Sequence, residues 1–446
     1  MHEGQARPHL FRQLADRVTD FWHRSLAPSF RVFRSSFSSF RLVALCAPFL
    51  VASGMTAAAG GCMSQTERIT SAPSDEHSKG IEQSGFVDPK PARVLEAKKL
   101  LAPGDAPVVL IVLDGARWQE IFGGADAAMG ASRGFDTAKL AGGARLLPNL
   151  HALIDRGVAI GAPGHGAPIR ASGPSYISLP GYMEIFSGAS TRCPNNACAP
   201  TRDKTIVDEI RETAHTSEEV AVVSSWPTIE RAAALDPQKI VMSAGSHHSF
   251  NAAALRFDAP SSQLFWIGEE AVAWPGEGDY RPDALTAEIA LKYLAKRKPR
   301  FLFIGLGDMD EYAHKNDYRD YILSLEYADK VIGDVVTTLD AMGERGKKTT
   351  IIVTADHGRA DNFRSHGPSA PESSRVWLVA AGGEVPARGV VDAAKEHRLA
   401  DIAPTLRALV GLPAPVTKAG RSAGEPMVEV LPDGHVAASE PTASPL

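Results

Sequence analysis

Three short runs in this chain, residues 107–113, 300–306 and 349–354, consist almost wholly of apolar and β-branched side chains and stop abruptly at polar residues. Runs of this kind, without polar alternation, are strands buried on both faces, as in a parallel sheet. Each leads into aspartate: Asp114 after the first, Asp308 and Asp310 after the second, Asp356 after the third. Open α/β sheets bind ligands beyond the carboxyl ends of their strands, so acids delivered to that edge mark a candidate site. Further strands are predicted at 219–225, 239–242 and 376–381. Helices are predicted at 282–296 and 318–342, the second with Tyr321, Leu325, Ala328, Ile332, Val335 and Leu339 at steps of four and three. This alternation predicts an α/β fold, a three-layer sandwich with a mostly parallel central sheet.

The residues around those strand ends are metal ligands by type. Asp310 and His314 stand four apart, which on a helix puts both side chains on one face. Asp356 and His357 follow a strand directly, Gly358 permits a tight turn there, and His366 sits on a loop before the next strand. Imidazole mixed with carboxylate suits zinc better than magnesium or calcium. The count fits two ions. Asp310, His314 and His366 give one ion three ligands and an open position, while Asp114, Asp356 and His357 give the second three, with a hydroxyl as the fourth. Asp308 is the alternative to Asp310, which its spacing to His314 favours. With no Ser-His pair evident, a serine nucleophile would need metal activation. Ser178 is the candidate, with Ser172 and Ser175 as rivals. Arg359 and Arg364, between the last ligands, are candidates for holding a phosphate oxygen through the guanidinium fork.

The rest of the chain sets the context. Residues 1–41 carry seven arginines against three acids, and a short apolar stretch at 42–52 leads through small residues to Cys62. That is the layout of an export signal, and Cys62 is a candidate for lipidation and membrane attachment. Residues 1–62 are therefore read as the signal, 63–91 as a flexible tether, 92–430 as the folded domain and 431–446 as a disordered tail. Within the domain, 201–299 is expected to supply cap or pocket loops. An exported, periplasmic or membrane-anchored protein follows, and in that compartment Cys193 and Cys198 are candidates for a small loop disulfide. The net charge of −5 gives no footprint for nucleic acid.

The order Leu113-Asp-Gly115, a hydroxyl residue two before Pro180, Asp310-x-x-x-His314, Thr354-Ala-Asp-His-Gly358 and a lone histidine before a strand resembles the alkaline phosphatase superfamily. Its nucleotide pyrophosphatase/phosphodiesterase and phosphoglycerate-mutase-like branches are the nearest in flavour, over roughly residues 105–412. The resemblance implies an alkaline phosphatase-like fold and two divalent ions, zinc or alternatively manganese. It also implies a covalent phospho- or sulfo-enzyme intermediate on Ser178 that water then hydrolyses. The expected substrate is a small-molecule phosphate mono- or diester. The sulfatase signature Cys-x-Pro-Ser-Arg is absent. Two alternatives are a sulfate or phosphonate hydrolase or phosphotransferase on the same fold, and a non-catalytic, metal-stabilised surface binding protein.

Overall fold

The computed structural model describes residues 106–413 and 423–433. The export segment, Cys62 and the tether lie outside the described residues. A nine-stranded sheet runs through the domain. Its strands are β1 (Val108–Leu113), β2 (Gly157–Ile160), β4 (Val220–Ser224), β5 (Val241–Ala244), β6 (His248–Phe250), β7 (Phe301–Leu306), β8 (Thr350–Thr354), β10 (Leu378–Gly382) and β11 (Gly389–Val390). They lie in the order β11-β2-β10-β8-β1-β7-β4-β5-β6. From β8 to β5 every neighbouring pair is parallel, whereas β10 runs antiparallel to both β8 and β2, and β6 antiparallel to β5. A separate three-stranded sheet joins β12 (His397–Arg398), β3 (Ile169–Arg170) and β9 (Arg375–Val376) in that order.

Every residue of β1, β4, β7 and β8 is buried. Such strands need cover on both faces, and helices supply it. One group comprises α1 (Pro148–Asp155), α3 (Asp283–Arg297) and α5 (Tyr318–Asp340), and α1 and α3 also contact the sheet. The other comprises α2 (Ser178–Ser187) and α6 (Ile402–Leu409), packed on each other. The three layers and the mostly parallel sheet agree with the expectation from sequence. Residues 201–299 do more than cap a pocket, since they contribute β4, β5 and β6 to the main sheet.

What positions the site is the adjacency of β8, β1 and β7. The register pairs Val112 with Gly305 on one side and with Thr354 on the other, so all three carboxyl ends stop at one level. Asp114 leaves β1 there. The short helix α4 (Asp308–His314) starts two residues beyond β7, and Asp356 and His357 follow β8.

Candidate metal centre and active site

Three carboxylates and three imidazoles converge at this edge. His357 Nε2 lies 3.3 Å from Asp114 Oδ1, 3.6 Å from Asp356 Oδ2 and 3.8 Å from Asp310 Oδ1. His314 Nε2 lies 2.9 Å from Asp310 Oδ2 and 3.1 Å from His366 Nε2. Asp114, Asp356 and His357 form one cluster of metal-ligand geometry, and Asp310, His357 and His366 another, with His314 beside it. His357 thus stands close to both groups, although the sequence reading gave it to one ion.

Outer contacts aim the imidazoles. His357 Nδ1 faces Gly358 O at 2.9 Å and His366 Nδ1 faces Tyr176 O at 3.1 Å, so each Nε2 turns to the centre with its lone pair. Burial lowers the His357 pKa to about 4, and burial with the neighbouring His357 lowers His366 to about 3. Both rings are therefore neutral near pH 7, as a ligand requires. Burial, reinforced by Asp310, raises Asp114 to about 7, and burial with Asp114 and Asp310 raises Asp356 well above the usual carboxylate range. For Asp310 burial acts in the same direction, but Arg359 and then His314 outweigh it and hold the carboxyl well below that range. Asp356 Oδ2 is buried without a hydrogen-bond partner. Acceptors crowded together with an orphaned oxygen among them fit a bound cation, which would satisfy them all at once. The residues present therefore fit divalent metal.

Ser178 is the first residue of α2, and its Oγ donates to Asp114 Oδ1 at 3.3 Å and lies 3.5 Å from His357 Nε2. Gly181 lets this helix approach, because a Cβ there would collide with the backbone oxygen of Asp356. Ser172 Oγ instead donates to Glu184, away from the ligands. A cavity of about 180 Å³ opens over the centre, lined by Asp114, Ser178, Asp310, His314 and His366, with Asn196, Trp226, Tyr280, Gly307 and Glu311 as walls.

The two candidate arginines are placed differently from the ligands. Arg359 faces the interior, where it pairs with Asp310 Oδ1 and donates to Arg364 O at 2.6 Å, and Arg364 is exposed. Neither lines the cavity. Asp308 points elsewhere, accepting from Tyr280 OH at 2.7 Å. Cys193 and Cys198 are joined as a disulfide with Cα atoms 5.8 Å apart. The loop they close carries Asn196, whose Oδ1 accepts from Leu179 N at 2.9 Å. Sequence reading missed Asn196, Trp226 and Tyr280 as cavity residues; the cysteine-bounded loop just after the nucleophile segment was the one available signal.

Residues 272–414 match the model of the Metalloenzyme superfamily. The 2,3-bisphosphoglycerate-independent phosphoglycerate mutase of Rippkaea orientalis is 33% identical over 131 residues, 28% of this chain and 24% of that protein. Human GPI ethanolamine phosphate transferase 1 is 32% identical over 137 residues, 27% of this chain and 15% of that one. The chain thus spans about a quarter or less of the length of these relatives. Solved structures with a similar fold include a 2-O GAG sulfatase, at TM-score 0.46, 16% identity and coverage of 73% of this chain and 74% of that one. Wild-type alkaline phosphatase PafA gives TM-score 0.45 at 13% identity, covering 74% of this chain and 99% of that one. The metalloenzyme match over residues 272–414, the mutase alignments and the strand-end ligand set together support the resemblance to the alkaline phosphatase superfamily.

Proposed function

We propose that this protein is an exported two-metal hydrolase of phosphate esters that works through a phosphoseryl intermediate on Ser178. The observation that carries the reading is the position of Ser178 Oγ, within 3.5 Å of both Asp114 and His357 and open to the cavity that the other ligands line. Divalent ions in these ligand sets, zinc in preference to manganese, would lower the pKa of a coordinated hydroxyl and neutralise phosphoryl oxygens. Asp114 and His357 orient Ser178 Oγ towards phosphorus, and Tyr182 OH donates to Asp114 Oδ2 at 3.2 Å to hold that carboxylate. The bond formed is Oγ–P and the bond broken is P–O to the leaving alcohol, which departs with a proton. Water then cleaves Oγ–P, releasing phosphate and restoring the serine. The amino end of the ten-residue helix α2 favours the negative charge that develops beside it. Asn196 lines the same cavity, and the engagement of its oxygen by Leu179 N leaves the NH₂ group as its donor.

Two further observations support details of the reading. The aligned relatives are a phosphoglycerate mutase and an ethanolamine phosphate transferase, which favours phosphate over sulfate esters. The Cys193–Cys198 disulfide suits an oxidising compartment and so favours export.

The test combines metal analysis with turnover of an aryl phosphate, a phosphate diester and an aryl sulfate. About two metal ions per chain are expected. Ser178→Ala should keep that metal while losing about 10³-fold or more of phosphate turnover. A folded wild type that binds no metal, or a Ser178→Ala variant as active as wild type, overturns the mechanism. Preferred turnover of the sulfate ester would move the assignment to a sulfatase.

A further inference from the structure

Arg359 stands two residues after His357, yet it neither lines the cavity nor reaches solvent, its surface being 2% exposed. A guanidinium is costly to bury unless its donors are met. Four acceptors meet this one. Nη2 donates to Asp310 Oδ1 and, at 3.0 Å, to Asp310 O, while Nη1 donates to Arg364 O at 2.6 Å and to Phe363 O at 3.4 Å. Nε, left without a partner, lies beside Gly115. The two ends of the fork therefore hold two separate segments. One is the helix α4, which carries Asp310 and His314, and the other is the loop of residues 359–366, which ends in His366.

That loop is held in one shape. Ala360 N donates to Ser365 O and Phe363 N to Ala360 O, both at 2.8 Å, and Asn362 Oδ1 accepts from Arg364 N at 3.0 Å and from Ser365 N at 2.8 Å. Phe363 has φ of +63°, a left-handed conformation that a bulky residue adopts only where its surroundings impose it. Its fully buried ring lies 5.2 Å from each of the Tyr318 and Tyr321 rings of α5. The loop is thus anchored on α5 through Phe363 and tied to α4 through Arg359. Ligands on loops are placed accurately only when the residues behind them are locked in this way.

The spacing between loop and helix matters to the centre. His366 Nε2 ends 3.1 Å from His314 Nε2, so a small shift of one segment past the other decides whether the two rings can share an ion with Asp310. The His366 Nδ1 contact with Tyr176 O aims the ring but does not connect the loop to α4. Arg359 makes that connection directly.

We infer that Arg359 is a positioning residue for the metal centre, whose guanidinium sets the spacing between α4 and the loop and so holds Asp310, His314 and His366 at the separation one ion needs. The inference rests on the two-metal reading above. It replaces the phosphate-holding role expected for Arg359 from sequence.

The experiment compares the full chain as wild type, Arg359→Gln and Arg359→Lys. Each is dialysed against zinc buffered at a series of free concentrations, and metal per chain is measured. A cooperative melting transition shows that a variant folds. Wild type should hold about two ions. In Arg359→Gln one ion should bind about 10–100-fold more weakly while the other is retained. Lysine supplies the charge from a single nitrogen in place of the fork, so Arg359→Lys should recover only part of the loss. Excess zinc should restore kcat for an aryl phosphate in both variants with KM unchanged, because ligands have moved and no substrate contact has been removed. Arg359→Gln holding both ions at wild-type affinity overturns the inference, and so does Arg359→Lys with wild-type affinity, since charge alone would then suffice. A raised KM with unchanged zinc affinity would make Arg359 a substrate contact and overturn it as well. If Arg359→Gln does not fold, Arg359→Lys carries the same comparison, with a loss of about tenfold expected. Wild type holding fewer than two ions would remove the two-metal reading and this inference together. Wild type that binds two ions but turns over no phosphate ester would defeat only the phosphate-ester reading, and the zinc titration would still decide on Arg359.

Discussion

Gly115 occupies the turn between Asp114 and the rest of the centre, with φ of +62° and its N–H donating to Asp356 Oδ1 at 3.1 Å. A Cβ at this position would overlap Asp310 Oδ1. Two demands meet in one residue, a left-handed backbone and open space beside a ligand oxygen, and only glycine meets both. Gly115→Ala should therefore cost about 1–3 kcal/mol of stability and displace Asp310 from its place opposite His314 and His357. Metal analysis should find less than wild-type metal per chain, with turnover falling in proportion to the ion lost. An alanine variant with full metal and full activity would show that the turn can relax away from Asp310. The same scale explains what was readable. Asp114, Asp356 and His357 could be read because each closely follows a buried apolar run, and Asp310 because it stands four residues before His314. Ser178 and His366 lie on segments without such a run, and only the order of motifs along the chain pointed to them. Asn196, Trp226 and Tyr280 reach the cavity from loops, whose paths depend on contacts distant in sequence.

At the scale of elements, the strap formed by residues 423–433 is fastened to the domain by a buried histidine. His397 in β12 is fully buried, its Nδ1 3.2 Å from Asp401 Oδ2 and its Nε2 3.1 Å from Glu429 Oε2 on the strap. Met427 N also donates to Thr405 Oγ1 at 2.8 Å, and Met427 and Val430 are buried. A neutral imidazole has one N–H and cannot serve two carboxylates as a donor, so this ring is an imidazolium. Burial opposes that charge, but the hydrogen bonds to Asp401 and Glu429 outweigh it and raise the pKa to about 9 from an ordinary 6.5. A raised pKa places the stabilisation on the acid side: it is complete below about pH 6.5 and disappears as pH rises through about 9. Melting temperature should therefore decline between pH 7 and 10. His397→Ala should remove that decline and cost about 3 kcal/mol at pH 7 by taking the shared cation from Glu429 and Asp401. A variant with the wild-type pH profile would locate the alkaline transition elsewhere. None of this was readable from sequence, because β3, β9 and β12 are two residues long and offer no period to detect.

For the molecule as a whole, the sheet order puts acids from distant parts of the chain around a few ångströms of space, and the proposed ions would tie the domain's stability to their binding. The predicted architecture came through because long buried strands and long amphipathic helices carry their own periodicity, whereas the ligands' mutual distances arise only when β8, β1 and β7 align. Without metal, Asp114 keeps its proton up to about pH 7 and Asp356 is raised in the same direction by burial and by its acidic neighbours. His357 and His366, at about 4 and 3, are already neutral from pH 5 upward. Metal must displace the carboxyl protons and that of His314, whose pKa Asp310 raises above its ordinary value, but none from these two rings, so its affinity rises with pH until those groups have lost their protons. Each displaced proton contributes about 1.4 kcal/mol per pH unit. The difference in melting temperature between metal-loaded and chelator-stripped protein should therefore widen from pH 5 through pH 7, then level as these groups finish titrating. A difference that is flat across this range, or widest at pH 5, would mean that the buried carboxylates do not share a cation and would remove the physical basis for the two-metal site.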